Sequence, residues 1–156
     1  MSILVADAAS VRPVSKPWGY EKWIAPGRPD FPYVLKEIFI RAPHRSSLQF
    51  HQQKQESNYV LSGQVWLHYS DTSIDIERYK RSGYEPEELG RLLKTVCRVR
   101  LGPGSIFHVR PGYLHRVEAV EDLLMVETST TELDDVFRLA DDAGRPHGRI
   151  DAEHSR

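Results

Sequence analysis

Short runs rich in β-branched and aromatic residues recur along this chain, and Gly or Pro interrupts them again and again. The runs fall at 19–24, 33–40, 46–51, 58–61, 65–69, 94–101, 105–109, 115–120 and 123–128. The breakers are Pro26-Gly27-Arg28-Pro29-Asp30, Ala42-Pro43, Ser62-Gly63, Gly102-Pro103-Gly104 and Pro111-Gly112. Such spacing, with no long helical pattern between the runs, predicts an all-β antiparallel sandwich or barrel. At 156 residues the chain suits one domain able to bury a core of its own.

Two segments depart from the rhythm. Residues 70–93 are longer and more charged than a hairpin turn requires, and Pro86-Glu87-Glu88-Leu89 can open one helical turn with acidic residues at its start. This segment is expected as an outer-rim loop or hairpin insertion covering the barrel mouth or a dimer contact, with Tyr79 and Tyr84 meeting a ligand or partner. In 132–140, Leu133, Val136, Phe137 and Ala140 stand at helical spacing and predict a short C-terminal helix against the barrel. The division expected is an N-terminal arm over 1–15, a barrel domain over 16–145 and a polar tail over 146–156.

A net charge of −1 gives no electrostatic footprint for nucleic acid or an anionic membrane. No apolar run approaches the roughly 20 residues that span a bilayer. The first residues lack the charged start and apolar core of a signal peptide, and the single Cys97 has no intramolecular partner, so a reducing cytoplasm is expected.

Chemistry concentrates in two clusters. In 46–51, Ser47, Gln49 and His51 share one face of the expected strand, with Gln53 two residues on and Glu56 following. Downstream, the Pro111-Gly112 turn aims His115. Two imidazoles, a carboxylate and the Gln53 amide oxygen form a donor set for one divalent metal: His51, Gln53, Glu56 and His115. Gln53 can instead hold a metal-bound water. The solvent face of an edge strand gives the same alternation around His51, and His108 competes with His115 for the last position.

These residues resemble the cupin metal motif, a first block of the form G-x5-H-x-H-x3,4-E-x6-G followed by G-x5-P-x-G-x2-H. More narrowly, the chain is similar to the type II phosphomannose isomerase branch. Lys16-Pro17-Trp18-Gly19-Tyr20-Glu21 matches that branch's opening, and Ser47-Leu48-Gln49-Phe50-His51 with Glu56, Val60 and Gly63 matches its core. Val126-Glu127-Thr128 and Asp135-Val136-Phe137-Arg138-Leu139 echo its tail. The resemblance runs from about Lys16 to Arg145 and implies a cupin jelly roll holding one divalent ion (Mn, Zn, Fe or Ni). By analogy it implies a homodimer. Gln53 stands where the branch has its second histidine, Lys54 where it has arginine, and Ser57-Asn58 where it has His-Trp. A neutral amide ligand favours harder, oxygen-preferring ions such as Mn.

For an anionic sugar, Lys36 is the leading contact, because it interrupts the apolar runs 33–35 and 38–40 and must reach water or a negative partner. Arg45, Gln49, Asn58 and Arg116 complete the expected substrate contacts, and Tyr113 joins Lys36 as a candidate proton carrier. The reaction implied by the resemblance is aldose–ketose isomerisation of a sugar phosphate or related anionic sugar. Two alternatives are a non-haem iron cupin dioxygenase, since two histidines and a carboxylate approach the facial triad, and a non-catalytic sugar- or effector-binding cupin.

Overall fold

The structure, a computed structural model, describes residues 3–140 and the backbone of 148–150. The strands are β1 (Val14–Lys16), β2 (Gly19–Pro26), β3 (Val34–Ile40), β4 (Leu48–Phe50), β5 (Glu56–Ser62), β6 (Val65–Tyr69), β7 (Cys97–Leu101), β8 (Ile106–Val109), β9 (His115–Ala119), β10 (Leu123–Ser129), β11 (Val136–Ala140) and β12 (Gly148–Ile150). They form two six-stranded antiparallel sheets, ordered β1-β2-β3-β10-β5-β8 and β12-β11-β4-β9-β6-β7. This is the cupin jelly roll expected from the sequence. Among the described residues no helix is long and apolar enough to cross a membrane.

Alternation of burial fixes the inner face of the first sheet. Val34, Lys36, Ile38 and Ile40 of β3 are buried while the residues between them are half-buried, and β10 repeats the pattern with Leu123, Met125, Glu127 and Ser129. Antiparallel register sets Ile40 opposite Leu123, Ile38 opposite Met125 and Lys36 opposite Glu127. Val60 and Asn58 of β5 extend the last two rows. The interior is therefore apolar at one end, where Trp18, Leu67, Phe107 and Ala119 join the cluster, and charged at the other.

Gly63 shows why the seven residues of β5 end where they do. Its φ is 86°, and a Cβ there would lie 2.2 Å from the Asp122 carbonyl oxygen, so the turn into β6 admits glycine alone without displacement.

Residues 70–93 keep an exposed, charged outer side but are not a loop or hairpin. They form two helices, α1 (Ile76–Ser82) and α2 (Pro86–Leu93), with Asp75 capping α1 through the Arg78 amide at 3.0 Å and Pro86 in the first turn of α2. The helix expected to begin at Pro86 is present. Ile74 and Leu92 pack with Leu48, Phe50, Leu114, Phe137 and Leu139 in a second core on the outer face of the second sheet. Tyr79 meets Phe50 edge-on at 5.2 Å and Tyr84 at 5.5 Å, so these tyrosines pack within the chain. The charges the sequence displays lie on the exposed side, as in the Arg91–Glu87 pair at 2.9 Å.

The helix expected over 132–140 is instead strand β11, paired with β4 and β12. Val136, Phe137, Arg138 and Leu139 are all buried because β11 is covered on both faces, by the barrel interior and by the helical core. A strand buried on both faces loses its alternation and imitates helical spacing. At the N-terminus the arm expected over 1–15 already enters β1 at Val14. Most of the polar tail expected over 146–156 lies outside the described residues; the backbone of Gly148–Ile150 adds β12.

Candidate metal centre

A pocket of about 80 Å³ lies in the interior, bounded by the charged end and, toward the apolar end, by Trp18, Ile38, Ile40, Phe107 and Met125. His51 enters it from the end of β4, Glu56 from the start of β5 and His115 from β9. All three are buried, and one ligand atom from each lies within 4.8 Å of the others. Glu56 Oε2 is 3.5 Å from His51 Nε2, and Glu56 Oε1 is 3.7 Å from His115 Nε2.

The backbone sets the tautomers. His51 Nδ1 lies 2.5 Å from the Asp135 carbonyl oxygen, and His115 Nδ1 lies 3.1 Å from that of Tyr113. A carbonyl only accepts, so each Nδ1 carries the proton and each Nε2 presents its lone pair to the pocket. His51 Nε2 is fully buried and, 3.5 Å from Glu56 Oε2, has no hydrogen bond among the described residues. Burial, only partly offset by Glu56, lowers the His115 pKa to about 4, so this imidazole is neutral at physiological pH, as a metal ligand must be. Burial opposes the charge on Glu56, but Lys54, then His51 and His115, outweigh it and hold the carboxylate well below its ordinary range. An orphaned imidazole lone pair, a second one and an ionised carboxylate converging from three elements fit a divalent metal.

Asp135 builds this end. Its carboxylate accepts from the amides of Gln52 (2.9 Å), Gln53 (2.6 Å) and Lys54 (2.9 Å), while its carbonyl holds His51. Burial raises its pKa, but the three amide bonds prevail and lower it. This clamp turns the chain after β4 out of strand geometry. The expected alternation breaks there: Gln53 is exposed and does not line the pocket, and Lys54 points inward in its place. Gln53 is thus not among the converging donors. His108, the competitor for His115, is exposed and near Ser57 at 2.7 Å.

The expected substrate residues divide by face. Lys36, Gln49 and Asn58 line the pocket. Lys36 is 1 % exposed, lies 3.4 Å from Glu21 and sits 4.8 Å from the Trp23 ring centroid. Gln49 accepts from the Ser47 hydroxyl at 2.6 Å, and Asn58 donates to Glu56 at 3.3 Å. Arg45 and Arg116 do not line it. Arg116 donates to the carbonyls of Ser46 (2.7 Å) and Ala140 (3.3 Å), and Arg45 faces Glu118 at 3.9 Å. Both precede or follow an inward residue by one position, and the pleat sends them to the other face. Tyr113 lines a separate cavity of about 570 Å³ with Leu67, Val99 and Leu101, which shares Phe107 and His115 with the inner pocket.

From the sequence, Glu21, Glu127 and Asp135 take no site role, and Lys54 stands only as one of several cations for an anionic substrate. Glu21 carried a signal, since it occupies an inward position of a strand whose other inward residues are apolar, as Lys36 does; Glu127 follows inward Leu123 and Met125 in the same way. The inward placement of Lys54 carried no local signal, because it depends on Asp135 across 81 residues.

Comparison with known proteins agrees with the fold. No family model and no curated protein matches the sequence. Among solved structures, oxalate decarboxylase from Bacillus subtilis superposes with a TM-score of 0.61 at 12% identity, over 85% of this chain and 31% of that one. The capsular polysaccharide assembling protein CapF from Staphylococcus aureus gives 0.60 at 13% identity, over 84% and 32%. KdgF from Halomonas sp. gives 0.57 at 15% identity, over 81% and 93%. The chain thus spans about a third of the length of the first two and nearly all of the third. At these identities the likeness establishes the cupin fold alone.

Proposed function

We propose that the chain is a metal-dependent cupin enzyme acting on a small anionic sugar, and that its reaction is the aldose–ketose isomerisation implied by the phosphomannose isomerase resemblance. The observation that carries the metal reading is the buried, unpartnered Nε2 of His51, converging with His115 and Glu56. A divalent ion held there supplies Lewis acidity that polarises a carbonyl and the neighbouring hydroxyl.

Charge supports an anionic ligand. Lys36 and Lys54 face Glu21, Glu56 and Glu127 in the pocket, one negative charge in excess, which a divalent ion reverses. Lys36 and Glu21 face the pocket from β3 and β2, in the other sheet from His51 and His115. Lys36 is thus placed to hold an anion or to move a proton, and Asn58 and Gln49 to orient hydroxyls. The inner pocket has room for about three waters, and the adjoining cavity falls in the range of about 300 to 1,000 Å³ common for ligand sites. The reacting end of the sugar is assigned to the first and the remainder to the second, beside Tyr113.

The test has two stages. Purified protein should contain a divalent metal by elemental analysis, and His51→Ala and His115→Ala should each lose most of it. Incubating the metal-loaded protein with sugar phosphates in D2O should then place deuterium beside the carbonyl, seen by NMR. Metal retained in both variants sinks the site; no deuterium with any aldose or ketose phosphate sinks the isomerase. A second reading gains from the exposed Gln53, because two histidines and one carboxylate remain, the donor set of non-haem iron oxygenases. Oxygen consumption by the Fe(II)-loaded protein would favour it.

A further inference from the structure

Lys54 has no part in the metal reading, yet it lies at the centre of the site. Its side chain is 6 % exposed, with Nζ 2.8 Å from Glu56 Oε2 and 2.7 Å from Glu127 Oε1. The ammonium is therefore a fixed positive charge on the same carboxylate that a metal would use.

We infer that Lys54 is a resident counter-cation of the centre, which competes with a divalent ion for Glu56 and holds Glu127 as a reserve fourth donor. The inference rests on the metal reading of His51, Glu56 and His115. Two buried carboxylates reaching one point repel unless a cation stands between them. In this chain the cation is covalently attached, so one of the two negative charges is offset without an ion. A metal bound by the trio must share Glu56 with a positive charge a few ångströms away, and like charges at that range in a buried site weaken binding. The lysine is held there at both ends, its backbone amide by Asp135 at 2.9 Å and its Nζ by the two carboxylates. Glu127 comes from β10, directly opposite Asn58 and Lys36 on the inner face, and its Oε1 already reaches the cation on Glu56. With the ammonium gone, one ion could take donors from His51, Glu56, His115 and Glu127.

The experiment compares wild type, Lys54→Arg, Lys54→Met and Lys54→Met with Glu127→Gln, each stripped with EDTA and titrated with Zn²⁺ or Mn²⁺ by calorimetry, with melting temperatures taken with and without metal. Lys54→Met should bind at least tenfold tighter than wild type and melt lower when stripped, with a larger rise on adding metal. Lys54→Arg should stay near wild type, and the double variant should lose most of the gain. If Lys54→Met does not fold without metal, it is purified with Zn²⁺ and its loss of metal to chelator is timed against wild type: slower loss supports the inference, and equal or faster loss overturns it. Wild-type binding with no gain in Lys54→Met overturns this inference alone. No binding by any of the four overturns the metal reading with it.

Discussion

The two ends of the barrel interior are built from the same strands and behave as opposites. Along β3, β10 and β5 the inward rows run from Ile40 and Leu123, through Ile38, Met125 and Val60, to Lys36, Glu127 and Asn58. Moving two residues along a strand exchanges hydrocarbon for a network of buried ions. The first end stabilises without direction, by removing apolar surface from water. Its neighbour is costly unless every charge meets a partner, and so it specifies geometry rather than strength.

The largest effect should come from unbalancing the charged end. Lys36→Met removes the cation 3.4 Å from buried Glu21 and should cost about 3 to 5 kcal/mol; urea denaturation measures it. A loss under 1 kcal/mol would mean Glu21 is sustained by its other contacts. Leu123→Ala at the apolar end should cost about 2 to 5 kcal/mol while leaving metal stoichiometry unchanged. If it also abolished metal binding, the two ends would not be separable.

Asp135→Asn sharpens the comparison, because it loosens the charged end without touching an inward charge. Weakening three amide bonds and their charge should cost about 1 to 3 kcal/mol and reduce metal affinity through His51 and Lys54. Its pKa is depressed in the folded state, so its contribution is present above the ordinary aspartate value and is lost as pH falls through the folded value. Acid unfolding below about pH 3.8 should therefore be less steep in Asp135→Asn. An unchanged acid limb would place the sensitivity on other carboxylates. The smallest effect belongs to Gln53→Ala, which should change stability by less than about 0.5 kcal/mol and leave metal affinity unaltered; a clear loss of metal would return Gln53 to the site.

The strand rhythm and the Pro-Gly punctuation were legible because each rests on local physics, whereas His51, Glu56 and His115 stood out as donors through their resemblance to the cupin motif. Turn residues impose φ, alternation imposes a face, and the interval from Glu56 to Gly63 is one strand followed by one obligatory glycine. Two errors arose where that physics is ambiguous. β11 is buried on both faces and lost its period, and α1 with α2 hides an apolar stripe beneath charges that the sequence displays equally.

What the sequence could not decide was which polar side chain after His51 faces inward. Alternation names Gln53, and only the Asp135 carboxylate, arriving from 81 residues away to bind three consecutive amides, turns the chain so that Lys54 faces in instead. Local propensity determines that a strand forms and where it ends. A buried charge is admitted only if its partners arrive, and here Glu56 comes from β5 and Glu127 from β10. Tertiary structure alone brings those strands together.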